Sequence, residues 1–239
     1  MSQINYVTPE TFDIARLRMP TEVIAGEFQT NGWVQYEYTN GEVDQLQVLT
    51  DWCYLNWGLH EYKGKWTADI STWKKEENES LNKLYLLCML LDEQTLQTYY
   101  TNWAKWFGTE KSFDVVKDRF FPIIKDENPG KYSPTIKVGV QTTKNGELGI
   151  NVFDYEFKPV SVEKGLPLLA NKGSRCRVLL NASCTWYGAS TGFGLKLRAK
   201  QFYLPKPYAN AALRQPIMFA QPGEVAESVP IVAAQQFAV

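Results

Sequence analysis

Three consecutive stretches decide the fold class: RCRVLLNASCTWY (175–187), GASTG (188–192) and FGLKLRAKQFYL (193–204). The first and third alternate in character with a period of two, the pattern of a strand with unlike faces. In the first, Cys176, Val178, Leu180, Ala182, Cys184 and Trp186 share the inner parity. Arg175, Arg177, Leu179, Asn181, Ser183 and Thr185 share the outer one. In the third, Leu195, Leu197 and Ala199 oppose Lys196, Arg198 and Lys200. The middle stretch carries a glycine at each end and reads as the turn. Together they predict a long β-hairpin with one buried face and one basic face.

Working outward, Pro134–Gln141 alternates in the same way. Ile136, Val138 and Val140 face one side, and Thr135, Lys137, Gly139 and Gln141 the other. Residues 144–147 (KNGE) form a turn leading into Leu148–Phe153. Residues 1–70 also read as β-rich. Phe28–Tyr38 is arranged around an Asn31-Gly32 turn, Asn40-Gly41 is a second turn signal, and Gln45–Thr50 alternates. Trp66–Thr72 reads as one more strand. Between the β-rich parts, residues 75–125 change period. Leu81, Leu84, Cys88 and Leu91 recur at helical spacing, Asp92–Phe107 reads as a second helix, and Thr109 caps a third through Phe120. The fold class is mainly β with a helical insertion (α+β). Residues 1–208 form one domain with the insertion at about 75–125, and 209–239 are a flexible tail rich in Pro, Ala, Gln and Val.

Composition excludes several classes. With 239 residues, 44% hydrophobic and 21% charged, the chain buries a substantial core and is not disordered as a whole. No apolar run reaches the roughly 18 residues of a membrane helix, and no secretory signal opens the sequence. A soluble intracellular protein is expected. Cys53, Cys88, Cys176 and Cys184 form no CxxC pair and read as free thiols. A single histidine, His60, gives little scope for zinc ligation or nucleophile-plus-base chemistry. Neither a GxxxxGK[ST] loop nor a GxGxxG motif occurs. The acidic pairs Asp92/Glu93 and Asp126/Glu127 read as helix-start or loop residues. The sequence therefore predicts a non-enzyme that needs no cofactor or metal.

The net charge of −1 hides an asymmetry. Residues 1–130 carry 12 Lys+Arg against 20 Asp+Glu, whereas residues 131–208 carry 12 against 4. A block of +8 within 78 residues suits a polyanion. A single nucleic-acid strand presents phosphates, which Lys and Arg neutralise, and base faces, on which rings stack. The candidate binding residues follow from that chemistry. The basic ones are Lys137, Arg175, Arg177, Lys196, Arg198 and Lys200. Tyr187 and Phe193 flank the turn and are the better stacking candidates, while Trp186 has core parity and is weighed both as core and as a stacking ring. Trp52 and Trp57 with Lys63 and Lys65 form an aromatic-basic cluster, and Phe153 and Tyr155 a similar edge. Gly139, Gly188, Gly192 and Gly194 are candidate points of close backbone approach.

At these residues the sequence resembles a family. KGSRCRV (172–178), NASCTWY (181–187) and GFGLKLRAKQ (192–201) are similar to the C-terminal signature of single-stranded DNA-binding proteins of large DNA viruses, of poxvirus and asfarvirus type, and of related phages. YSPTIK (132–137) and the stretch from Trp103 to Lys125, ending FPIIK (121–125), are also similar. The resemblance spans residues 45–206. It implies a five-stranded OB-fold barrel with inserted helices. It also implies binding of single-stranded DNA with little sequence preference, often cooperatively, in viral or phage replication, recombination and repair. RNA is a weaker candidate partner; replication proteins and self-association along DNA are further ones. The tail departs from an acidic partner-recruiting type, since Glu224 and Glu227 are its only acids. The alternative class is a structural virion protein that assembles through its sheet and tail.

Overall fold

The computed structural model describes residues 5–26, 29–62, 64–126, 128–143 and 145–206. Residues 209–239, read above as a tail, lie outside the described residues, as does Lys63. The described chain is mainly β. Its spine is the expected hairpin, with strands Arg175–Gly188 and Gly192–Tyr203 paired antiparallel along their length. The outer edge of the first strand receives, in order, Cys53–Tyr54, Val43–Leu49 and Thr30–Trp33, all antiparallel. The outer edge of the second receives Phe120–Phe121, Gly139–Val140 and Asn151–Phe153, all parallel. Two short strands, Lys65–Thr67 and Ile70–Ser71, run antiparallel to Gly139–Val140 and Thr135–Ile136 respectively. An antiparallel bridge from Leu55 to Ile70 links the start of the chain to this pair.

Apolar residues explain these elements. Ile136, Val138, Ala199, Cys176, Val178 and Ala182 are fully buried, as the alternation requires. They meet Leu46, Val48, Leu55, Ile70 and Phe202 in one core. All four cysteines are free and buried.

The helical insertion differs from expectation. One helix, α1 (Glu79–Phe107), replaces the expected two. Asp92 does not start a helix; it lies within α1, 8% exposed, and its carboxylate accepts the backbone N–H groups of Ile123 (2.8 Å) and Ile124 (3.2 Å). Its negative charge is used across the structure rather than on its own helix end. Gly108, with φ +71°, ends α1. The third helix shrinks to α2 (Phe113–Lys117), preceded by Ser112 rather than Thr109. A further helix, α3 (Val162–Leu169), was not read from the sequence, because Pro167 inside it breaks the helical signal. No helix among the described residues is long and apolar enough to cross a membrane.

Asn40-Gly41 turns as expected, with Gly41 at φ +83°. Asn31-Gly32 does not turn; both residues lie inside Thr30–Trp33. Gly32 serves close packing instead, since a Cβ there would sit 2.8 Å from Pro20 and 2.9 Å from the Thr185 hydroxyl.

Candidate nucleic-acid interface

The basic face is built from the register of the hairpin and its neighbours. Residues directly opposite in paired strands project to the same side. Lys196 is opposite Cys184, which is opposite Trp33. Gly194 is opposite Trp186, which is opposite Asn31. Arg198 is opposite Asn181 on one side and Gly139 on the other, and Gly139 is opposite Thr67. Lys65, two residues before Thr67, and Lys137, two before Gly139, share that face by alternation. The structure thus brings together Lys65, Lys137, Lys196, Arg198 and Trp186 of the expected set.

The electrostatics agree with this grouping. Partial burial presses the Lys196 amine below the usual lysine value; Cys184 opposes this, and the charges of Arg198 and Lys65 add to it. Burial also lowers Lys137, with Lys125 and Lys65 adding to the effect and Asp69 opposing it. Among the described residues, no carboxylate lies within ion-pair distance of Lys65, Lys137, Lys196 or Arg198. Lys196 donates to the Asn31 side-chain oxygen at 3.2 Å, so it is held on the face by a neutral group.

Rings border the cations. Trp33 is 53% and Phe121 51% exposed, and Phe121 packs on Trp186 with centroids 5.7 Å apart. Gly194 admits this arrangement, because a Cβ would lie 2.5 Å from the Phe121 carbonyl oxygen and 3.2 Å from the Trp186 indole nitrogen.

A β-bulge corrects the expected roles of three aromatic residues. The register shifts between Ala182 and Cys184, leaving Ser183 as an extra residue in its strand. Inner and outer parity exchange beyond it. Trp186 therefore moves to the basic face. Tyr187 and Phe193, the better stacking candidates by sequence, turn toward α1. Phe193 is fully buried among Tyr99, Trp103 and Val116, and Tyr187 packs on Phe107 at 4.1 Å. The turn glycines likewise serve the fold. The Arg119 guanidinium donates to the Gly188 and Ala189 carbonyls, and Gly192 has φ +118° with its Cβ position against the Arg119 carbonyl.

The remaining expected residues lie further along the spine. Arg175 is nine positions before Cys184, roughly 30 Å at strand rise. Its guanidinium sits over Trp52 at 5.3 Å, and Lys172 covers Trp57 at 4.6 Å. Arg177 donates from Nε to the Thr50 carbonyl at 3.1 Å and is opposite Tyr203. Phe153 stacks on Tyr203 at 5.3 Å, and Tyr155 carries Lys206 over its ring at 5.6 Å. These groups form a second aromatic-basic region. Lys200 stands between the two, at a second bulge where the register shifts between Leu179 and Leu180.

Sequence reasoning missed Asn31, Trp33, Phe121, Lys125 and Asn181. Asn181 is 5% exposed, and its Oδ1 is a buried side-chain oxygen with no hydrogen-bond partner among the described residues, while its Nδ2 donates to Gln45 at 2.9 Å. Only strand pairing places these residues beside the cations.

No protein-family model matches the chain, and no curated protein matches it in sequence. Among solved structures, it is similar to gp2.5, a single-stranded DNA-binding protein encoded by bacteriophage T7. That match has 10% identity and a TM-score of 0.37, covering 77% of this chain and 100% of that one. It is also similar to the single-stranded DNA-binding protein from bacteriophage Enc34. There the identity is 12% and the TM-score 0.40, over 82% of this chain and 96% of that one. The Enc34 protein in complex with single-stranded DNA matches at 11% identity and a TM-score of 0.39, over 79% and 96%.

Proposed function

We propose that this chain is a non-catalytic single-stranded DNA-binding protein of the viral and phage type, acting inside the host cell in genome replication, recombination and repair. The observation that carries the proposal is the face holding Lys65, Lys137, Lys196 and Arg198, none of them in an ion pair with a carboxylate among the described residues. Like charges held together in the free protein cost energy, and a polyanion relieves that cost. The bordering rings Trp33, Phe121 and Trp186 favour a single strand over a duplex. Bases in a duplex are already stacked on each other, whereas those of a single strand are free to stack on protein.

The pairings support an OB-type barrel. Segments 43–55, 65–71, 135–140, 192–203 and 175–188 each pair with the next, and the last pairs with the first. A circuit of five segments is what such a barrel requires, and OB barrels bind single strands across an outer face. We assign residues 1–208 to this domain. Weaker binding of RNA, self-association along DNA and contacts with replication proteins belong to the same proposal.

The test is a fluorescence-anisotropy titration of the full chain with labelled dT oligomers, matched duplex and matched RNA, at two salt concentrations. The expected result is tight, salt-sensitive binding to dT and much weaker binding to duplex. Equal affinity for single and double strands would overturn the proposal.

A further inference from the structure

The hairpin of Asn151–Phe153 and Pro159–Val160 closes on a turn that carries an ill-fitting residue. The Asp154 N–H donates to the Lys158 carbonyl at 2.9 Å, so Tyr155, Glu156 and Phe157 form a three-residue loop. The third position of such a loop takes left-handed backbone and favours glycine. Here it is Phe157, with φ +60°. A Cβ in that conformation crowds the following carbonyl oxygen, so an aromatic residue there is strained. Burial offers little compensation, because Phe157 is 64% exposed and meets Tyr203 edge-on, with centroids 5.7 Å apart. Strained residues of this kind concentrate where a side chain meets a ligand.

The surroundings narrow that ligand. Tyr203 stacks on Phe153 and is the cross-strand partner of Arg177. At the second bulge the extra residue is Lys200, so residues 175–182 keep their alternation. Arg177 therefore shares the face of Asn181, the partner of Arg198. The basic face thus continues to this corner. Tyr203 is five residues beyond Arg198, roughly 15 Å at strand rise and a span of a few nucleotides. Lys206 adds a second cation, over the Tyr155 ring of the same turn. The acids of the turn are engaged within it. Asp154 accepts the Glu156 and Lys158 N–H groups at 2.8 and 2.9 Å, and Glu156 pairs with Lys158. Open rings beside cations suit a base and its phosphate.

We propose that Phe157 is a stacking platform for one base of the bound strand, which reaches it from the Arg198 face past Arg177. The proposal rests on the single-stranded DNA reading above. Its test is Phe157→Asn in the full chain, because asparagine tolerates left-handed backbone. The denaturation midpoint should hold or rise as the strain is relieved. Affinity for a long dT oligomer, read by anisotropy, should fall about fivefold to hundredfold, the worth of one stacked base. An abasic oligomer of the same length offers phosphates without bases and should bind the wild type and the variant alike. Undiminished dT affinity, or an equal loss with the abasic oligomer, would overturn the inference and leave DNA binding standing. A lowered midpoint would make the ring structural and overturn it too. Undiminished dT affinity with loss of a self-associated species in sedimentation would assign the ring to a second copy instead. No binding of dT by the wild type would overturn both readings.

Discussion

Phe193 lies flat against Tyr99 of α1, with ring centroids 4.2 Å apart and planes 14° apart. The Tyr99 hydroxyl lies 3.1 Å from the Thr185 hydroxyl in the same seam. The contact joins the helical insertion to the hairpin spine, so it bears on stability rather than on the basic face. Trp186, one residue beyond Thr185, projects to the other side.

The two rings should therefore separate in experiment. Phe193→Ala should destabilise the protein by about 3–5 kcal/mol, the usual cost of emptying a buried aromatic site. Its denaturation midpoint would report this. Trp186→Ala should shift that midpoint much less and weaken dT binding, by about 1–3 kcal/mol if one base stacks on the indole. Unchanged affinity in Trp186→Ala would remove the indole from the interface.

Salt should reveal the four cations. Each phosphate neutralised contributes a slope of about −0.7 in log affinity against log salt concentration for a single strand. Replacing Lys65, Lys137, Lys196 and Arg198 with alanine should flatten the slope by about 2–3 and weaken all sequences alike. A slope equal to the wild type's would place the phosphates elsewhere.

Gly139 offers a clean test of backbone approach. A Cβ there would sit 3.7 Å from the Leu197 carbonyl and 3.9 Å from the Arg198 side chain, ordinary contacts. Gly139→Ala should leave stability unchanged or slightly raised. If the strand passes close to this residue, beside Arg198, titration should show weaker dT binding; unaltered binding would exclude that approach.

Asp92 should give stability a pH dependence. Burial pushes its carboxyl up to about 6, although the Ile123 and Ile124 N–H groups draw it down. The ordinary value of 3.8 applies once the chain unfolds. Between about pH 4 and 6 the native state then binds more protons than the unfolded one, so this group's contribution falls as pH rises through that window. Above about pH 6 it levels off. Urea midpoints across this range should show less of that slope in Asp92→Asn, where one amide oxygen still serves Ile123. Asp92→Ala should cost more at every pH, because two backbone donors lose their acceptor. An undiminished slope in the asparagine variant would assign the dependence to another group.

Much of the architecture was legible before any coordinates. The alternation of Leu195, Leu197 and Ala199 with Lys196 and Arg198 reads correctly, up to the bulge at Lys200, as does that of Ile136, Val138 and Val140. Uninterrupted zigzag backbone makes parity equivalent to facing, so a strand's own residues suffice. The helical region at 75–125 is also visible, but its division is not. Nothing local distinguishes an acid that starts a helix from Asp92, which serves a distant backbone.

Sequence alone thus determined the hairpin and the buried and basic sides of its strands up to the bulges. Tertiary structure decided which rings belong to which face. The extra residue at Ser183 reverses parity for everything after it in the strand, and its presence depends on how Ala182 and Cys184 find partners in the neighbouring strand. Pairing of Gly139 with Thr67 on one side and Arg198 on the other brings Lys65 beside Lys196, and pairing between segments more than a hundred residues apart sets Trp33 opposite Cys184. Such proximity is set by the register of long-range hydrogen bonds and by burial of the shared core, neither of which a local pattern contains.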